Sequence, residues 1–350
     1  MKRFFITGGT GFLGKALIKK IIAEKGSEVY ALTRGKGMSL SSRKNALIRA
    51  SFPESKRKSA AKRIHLVKGD VSLKNMGMSG KDLKCLRGKI THAYHSAGIV
   101  GFNENLSDIR KTNVEGAKNF FSVMEDWSGS GNLTSINHIS TAYVRGTYKG
   151  KFREDQLEVS QKFNNTYEKS KFEAEQVVET YRKKGMRINV FRPSLITRLS
   201  QGKMEEDDLG QRITKMIMFG FLKTLPLDKK ATVNMVPVEM VSGAVYFLSV
   251  LPDRTLNKNF HLVNPRPVKF STFLTVFSSV WGFTLPEFVP ADKFKTRDLA
   301  PVQQKLIGAF LPYMTQAHSF DMKNTVSAIK GYGIQNAYFF IKKTRRKNAS

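Results

Sequence analysis

Short apolar runs alternate with stretches of helical periodicity along the first part of the chain. Arg3 to Ile6 precedes a helical pattern over Lys15 to Lys25, which leads into Glu28 to Thr33. Further candidate strands lie at Ile64 to Lys68, His92 to Ser96, Ser135 to Ser140 and Arg187 to Arg192, with helical patterns over Asn113 to Trp127 and Tyr167 to Lys184. This rhythm predicts βαβ units and an α/β fold with a doubly wound parallel sheet. Met1-Lys2-Arg3-Phe4-Phe5-Ile6 begins like a signal peptide, but Thr7-Gly8-Gly9 cut the apolar run short, so a buried first strand is expected. Met216 to Leu222, Val245 to Leu251 and Phe273 to Phe283 are each far shorter than the roughly 20 residues that cross a bilayer. After about residue 200 the rhythm becomes irregular. Residues 1–200, with later strands from about 232–265, are expected to form the sheet domain, 201–341 mainly a smaller C-terminal cap, and 342–350 a basic tail.

The chain has 350 residues, 41% of them hydrophobic and 25% charged, enough to bury a sizeable core and too regular in composition for a collagen-like or disordered chain. Cys85 is the only cysteine, which excludes an intramolecular disulfide and makes a reducing, cytoplasmic setting the expectation. Charge changes the picture more. Fifty-nine Lys plus Arg against 28 Asp plus Glu give a formal net charge of +31, a field that attracts phosphorylated cofactors, acidic carrier proteins, nucleic acid or anionic lipid.

Thr7-Gly8-Gly9-Thr10-Gly11-Phe12-Leu13-Gly14 follows the first strand and opens the first helix, the context that a Rossmann-type dinucleotide-binding turn requires. Gly8, Gly11 and Gly14 permit a tight turn, close approach to a pyrophosphate and close helix packing, while the helix N-terminus offers N–H donors. Gly8, Thr10, Gly11, Phe12, Leu13 and Gly14 are therefore expected to touch the cofactor. A carboxylate about 20 residues further on suits NAD, whereas a basic residue suits a 2′-phosphate. Arg34 stands there, at the end of the second strand, so NADPH is expected, with Arg43 or Lys44 as further candidates. From Arg34 to Lys68 inclusive there are eleven Lys or Arg and one acid, Glu54, mostly as a solvated helix face.

Tyr167-Glu168-Lys169-Ser170-Lys171 opens a helical pattern, and four-residue spacing puts Tyr167 and Lys171 on one face. The same spacing recurs at Tyr338 and Lys342. What distinguishes the first pair is upstream: His138-Ile139-Ser140-Thr141-Ala142-Tyr143 ends a predicted strand, and a hydroxyl there faces the crevice where such sheets bind ligands. The six histidines lack metal-ligand spacing, so no metal is expected.

These segments resemble the extended short-chain dehydrogenase/reductase family. The resemblance implies that Tyr167 transfers the proton, Lys171 holds the nicotinamide ribose and lowers the Tyr167 pKa, and Thr141, rather than Ser140, orients the carbonyl. A neighbouring ammonium draws a phenol down from about 10 towards working pH. It further implies cofactor contacts at Asp70 and Val71 near the adenine, at Ser96, Ala97 and Gly98 along the dinucleotide, at Asn113, and at Pro193 and Ser194 near the nicotinamide.

Gly11-Phe12-Leu13-Gly14, Ser140-Thr141-Ala142-Tyr143-Val144, Asn234-Met235-Val236-Pro237-Val238 and Phe260-His261-Leu262-Val263-Asn264-Pro265 are similar to the fatty acyl-CoA reductase and thioester reductase domain branch. That resemblance implies NADPH-dependent reduction of a hydrophobic acyl thioester, on coenzyme A or an acidic acyl carrier protein, to aldehyde or on to alcohol. Met216, Met218, Phe219, Phe221 and Leu222 are candidates for an acyl channel or plain core. The rival readings are an NADP-dependent dehydrogenase, reductase or epimerase of a sterol-like, flavonoid-like or nucleotide-sugar alcohol, and a non-catalytic cofactor-sensing protein. No nucleic-acid module is recognisable, whereas contact with a membrane surface stays open.

Overall fold

The computed structural model describes residues 1–330 except 36, 102–103, 198–222, 252–254, 296 and 298. The candidate channel residues 216–222, the second Tyr-Lys pair and the tail 342–350 lie outside the described residues.

Phe4, Phe5 and Ile6 are wholly buried, which puts β1 (Lys2–Thr7) at the centre of a sheet covered on both faces. Strand alternation divides them: Phe4 and Ile6 join one apolar cluster and Phe5 the other. Seven strands run in the order β11 (Asn259–Leu262), β6 (Ile188–Pro193), β5 (Ser135–Ile139), β4 (His92–His95), β1, β2 (Ser27–Thr33) and β3 (Ile64–Lys68). Every neighbouring pair is parallel. The order reverses between β1 and β4, so the carboxyl ends of these strands frame a crevice.

One face is covered by α1 (Phe12–Ala23), α2 (Leu40–Ser51), α3 (Glu54–Arg63), α8 (Val238–Ser249) and α11 (Lys323–Ile329). Leu13, Leu17, Ile18, Ile21 and Ile22 make the buried stripe of α1 at helical spacing. The other face takes α4 (Gly80–Leu86), α6 (Glu115–Ser128) and α7 (Thr166–Lys183). The pattern read as one helix over 113–127 is preceded by a further helix, α5 (Leu106–Asn113), which meets α6 at Val114. Only Ile109 and Asn113 of α5 are buried, so it presents a single buried apolar side chain in a mostly polar stretch.

A smaller cluster, Leu225, Ala231, Val233, Phe270, Phe273, Leu274, Ile307 and Met314, joins β8 (Thr224–Pro226) and β9 (Thr232–Val233) to α9 (Phe270–Trp281) and α10 (Pro301–Thr315). Short ladders pair β7 (Leu195–Thr197) with β10 (Met235–Pro237), β9 with β12 (Val268–Lys269), and β8 with β13 (Glu287–Val289). The expected cap boundary needs one correction. Ala328 and Ile329 of α11 pack into the main core, because the buried Glu154 carboxylate takes the Thr325 hydroxyl at 2.6 Å and the His261 N–H of β11 at 2.8 Å. Among the described residues no helix is long and apolar enough to cross a membrane.

Candidate active site

The turn after β1 is shaped by what glycine lacks. Gly8 has φ +72°, and a Cβ there would lie 2.6 Å from the Ala97 nitrogen and the Ser96 carbonyl. A Cβ on Gly14 would overlap the Gly8 carbonyl oxygen, and the Gly11 N–H donates to that same oxygen at 3.0 Å. The backbone of β4's end thus lies directly on the turn, and the first N–H groups of α1 face outward. Thr7 Oγ1 holds this contact together, accepting from the Ala97 N–H at 3.2 Å and lying 2.9 Å from His95 Nδ1.

A cavity of about 290 Å³ opens at this point, lined by Gly8, Thr10 and Gly11 of the turn, Thr33 and Arg34 at the end of β2, Arg43 of α2, Gly69 to Val71 after β3, Ala97 to Ile99 after β4, and Thr112 of α5. Its shape, glycine floor and two guanidinium groups fit a phosphorylated dinucleotide. Asp70 Oδ1 is engaged in holding its own turn, accepting from the Ser72 N–H at 3.0 Å and hydroxyl at 2.8 Å.

α7 begins where Asn165 caps it, its Oδ1 accepting the Glu168 N–H at 2.9 Å. Its buried face is polar for a helix packed on a sheet: Glu168, Ser170, Lys171 and Glu175 are all buried with Ala174, Val177 and Val178. Thr141 follows β5 and starts a short 3₁₀ turn, Ala142–Arg145, taking the Tyr143 N–H on Oγ1 at 3.3 Å and lying 3.4 Å from the Pro193 carbonyl. The Tyr167 phenol hydrogen-bonds the Thr141 side chain. Lys171, buried one turn along, donates from Nζ to the Ile139 carbonyl at 2.7 Å.

The expectation that Lys171 draws the Tyr167 phenol downward does not hold. Burial pushes Tyr167 up to about 12, against the lowering effect of the Thr141 hydrogen bond and with a further raising effect of Glu168. Burial also lowers Lys171 to about 8, opposed by the Glu175 carboxylate. Lys171 is aimed at a backbone carbonyl, and the low-dielectric surroundings disfavour both charges.

Thr141 and Tyr167 therefore come together with Lys171 one turn along α7; none of the three lines the cavity, and Asn113 ties their helix to its wall. Its Nδ2 donates to Ser170 Oγ at 2.9 Å and to the Ile99 carbonyl at 3.1 Å, while its Oδ1 accepts the Ile99 N–H at 2.8 Å. Asn113 is almost fully buried and does not line the cavity, so it braces the wall. Leu13 packs in the core with Phe12 against it, leaving only their backbone for a phosphate. Gly14 lies beneath the turn and Ser96 presses on Gly8. Pro193 ends β6 beside Thr141; Ser194 is buried, its N–H donates to the Leu262 carbonyl at 3.2 Å, and its hydroxyl has no hydrogen-bond partner among the described residues. Of the residues named as cofactor contacts, Gly8, Thr10, Gly11, Arg34, Asp70, Val71, Ala97 and Gly98 line the cavity.

Several site elements carry no contiguous motif. Ser140 donates to Glu175, whose carboxylate also takes the Arg192 guanidinium, with Nη2 at 2.6 Å, in an ion pair that solvent barely reaches. Glu175 follows Lys171 by one turn, and that spacing is its only signal in the sequence. Leu32 and Ile99 also line the cavity with no motif to mark them, and Thr112 lines it from the Thr112-Asn113-Val114 segment that is similar to the family's cofactor framework. Asn234 and Asn264 belong to two of the segments that carry the resemblance, and the Asn234 amide holds the Asn264 backbone at both N–H and carbonyl, each at 2.8 Å.

Residues 6–245 match the NAD-binding family described as Male sterility protein. The chain is similar to a linear gramicidin synthase of Brevibacillus parabrevis, 26% identical over 307 residues, which cover 84% of this chain and 6% of that protein. It is also similar to fatty acyl-CoA reductase wat of Drosophila melanogaster, 32% identical over 149 residues, covering 41% of this chain and 28% of that one. It thus spans well under two thirds of either relative. In fold it matches the terminal R domain from the myxalamid PKS-NRPS biosynthetic pathway with a TM-score of 0.80 at 23% identity, over 99% of this chain and 91% of that chain. With the glycine turn, the seven parallel strands and the match over residues 6–245 in agreement, the chain belongs to the NAD-binding family described as Male sterility protein.

Proposed function

We infer that this chain reduces a hydrophobic acyl thioester with NADPH, releasing a thiol and an aldehyde. The observation that carries the reading is the Tyr167 phenol hydrogen-bonded to Thr141 at the carboxyl end of β5, in a fold whose glycine turn floors a cavity fit for a dinucleotide. A phenol pushed up to about 12 keeps its proton at neutral pH, so a hydroxyl hydrogen is there for a carbonyl oxygen that gains charge. The relative named as a fatty acyl-CoA reductase supports the acyl thioester as the substrate class.

Gly8, Gly11 and the start of α1 would hold the pyrophosphate, Asp70 and Val71 would flank the adenine, and Arg34 with Arg43 would hold a 2′-phosphate. When bound, the reduced nicotinamide supplies a hydride to the thioester carbon. The Thr141 and Tyr167 hydroxyls donate to the carbonyl oxygen as it gains charge, and Tyr167 passes its proton to it. Breaking the carbon–sulfur bond of the resulting hemithioacetal gives aldehyde and thiol. Lys171, fixed on the Ile139 carbonyl, keeps an ammonium beside the reacting groups below about pH 8. The net charge of +31 suits the phosphates of coenzyme A or an acidic acyl carrier protein as the thiol component.

The test is incubation of the protein with NADPH and a panel of acyl-CoA and acyl-pantetheine thioesters, following cofactor oxidation and free thiol together. Equal rates of both are expected. Hydride exchange with secondary alcohols, without thiol release, would overturn the reading.

A further inference from the structure

We propose that Tyr313 is a positioning residue for the Thr141/Tyr167 pair, clamping the two chain segments that carry those hydroxyls. The inference rests on the reading of Tyr167 as the proton donor. Tyr313 stands near the end of α10, next to Met314, which is anchored in the smaller apolar cluster. Its hydroxyl donates to Glu168 Oε1 and accepts from Asn165 Nδ2 at 2.9 Å. Asn165 is the cap of α7 and Glu168 its first-turn acid, so both neighbours of the Thr166-Tyr167 step are held by one phenol. The ring of Tyr313 does the second half. It meets the Tyr143 ring edge to face, centroids 5.2 Å apart at 88°, and Tyr143 is the residue whose N–H is bonded by Thr141 Oγ1.

The same stretch of chain repeats the contact. His318 packs on Tyr143 at 5.5 Å and lies 2.9 Å from the Nη1 of Arg145, the last residue of the turn that Thr141 begins. Residues from one side of the smaller cluster thus grip both the turn after β5 and the start of α7. Glu168 is fully buried and its carboxylate also takes the Asn164 N–H at 2.9 Å, so it is a fixed point and not a mobile surface acid. The two large apolar clusters under the sheet do not include Tyr313, so the main fold does not depend on this phenol. What depends on it is the separation of two hydroxyls that belong to different elements. A displacement of about 1 Å between reacting groups is enough to cost two orders of magnitude in rate.

The experiment compares wild type, Tyr313→Phe, Glu168→Gln, the double variant and Tyr167→Phe, with decanoyl-CoA as the probe. Tyr313→Phe is expected to lower the single-turnover rate of NADPH oxidation about tenfold while leaving the NADPH Kd within error and the protein folded, as a cooperative melting transition shows. The double variant is expected to lose no more than the worse single one, as partners in one contact do. Hydrogen exchange read without substrate should show segments 142–145 and 166–171 loosening together in Tyr313→Phe. A full rate in Tyr313→Phe, additive losses in the double variant, or unchanged exchange in both segments would overturn the inference. Full activity in Tyr167→Phe would instead overturn the proton-donor reading itself, whereas an inactive Tyr167→Phe beside an unimpaired Tyr313→Phe removes only the clamp.

Discussion

Asn113 Nδ2 lies 2.9 Å from Ser170 Oγ, and the same amide holds the backbone of Ile99 on both its N–H and its carbonyl. One buried side chain therefore ties the wall of the dinucleotide cavity to the helix that presents Tyr167 and Lys171. Replacing Asn113 by Ala removes the partner of the Ile99 N–H and carbonyl, while the Ser170 hydroxyl keeps its bond to the Tyr167 carbonyl. Loss of about 1–3 kcal/mol in unfolding free energy is expected, with a higher KM for NADPH. Chemical denaturation and initial rates read both, and a variant normal in each would show that the brace is dispensable.

Tyr167→Phe is expected to lower kcat by roughly 10²-fold to 10³-fold with NADPH binding retained, because the ring stays and the donor goes. Thr141→Ala should fall in the same direction. Fluorescence titration of NADPH separates binding from turnover, and loss of binding in Tyr167→Phe would argue for a structural role.

Lys171 gives the pH dependence its sign. Its folded value of about 8 lies below the ordinary lysine value, so the ammonium is present at neutral pH and lost as pH rises through 8. Activity is expected to decline along a basic limb near pH 8, and Lys171→Arg, which keeps its charge, should remove that limb. Between about 8 and the unfolded lysine value near 10.4 the unfolded chain still binds the proton that the folded one has released, so stability rises with pH there and the penalty that burial of this ammonium imposes at lower pH is relieved. Rate and this contribution to stability should thus move in opposite directions there, and a basic limb that persists in Lys171→Arg belongs to another group.

Arg34 and Arg43 line the same cavity from β2's end and from α2. Replacing both with Ala is expected to cost NADPH a tenfold or greater loss in kcat/KM, the scale of a lost charged hydrogen bond, while NADH changes little. An unchanged NADPH to NADH ratio would place the 2′-phosphate elsewhere.

The Glu175–Arg192 pair is buried on both sides. Glu175→Ala leaves an uncompensated guanidinium and should destabilise the protein by about 3–5 kcal/mol, whereas replacing both partners by apolar residues of similar volume should recover much of that loss. Melting temperatures of the single and double variants decide it.

The glycine turn and the Tyr167/Lys171 spacing were legible because each is contiguous, so its geometry follows from local backbone rules. The parallel sheet followed from strands spaced by helices of alternating periodicity. Three things were hidden for physical reasons. Helix α5 escaped because Leu106 to Asn113 is mostly polar and held by Asn113's bonds to Ile99 and Ser170. The contacts of Glu175 and Tyr313 escaped because their partners are distant in sequence and meet only when the sheet has formed. The direction of the Tyr167 shift escaped because spacing places Lys171 on the same helical face without showing that its ammonium is bonded to Ile139, or how deeply the phenol is sunk.

β11 is threaded into the sheet between two excursions of the chain, one containing Thr224 to Val233 and the other Phe270 to Met314, and the smaller cluster forms only where the two meet. Neither excursion is a self-sufficient module. Transplanting this part from a relative must exchange both stretches at once, with the Ser194–Leu262 seam left intact, because a single transplant would leave a half-built apolar interface open to water.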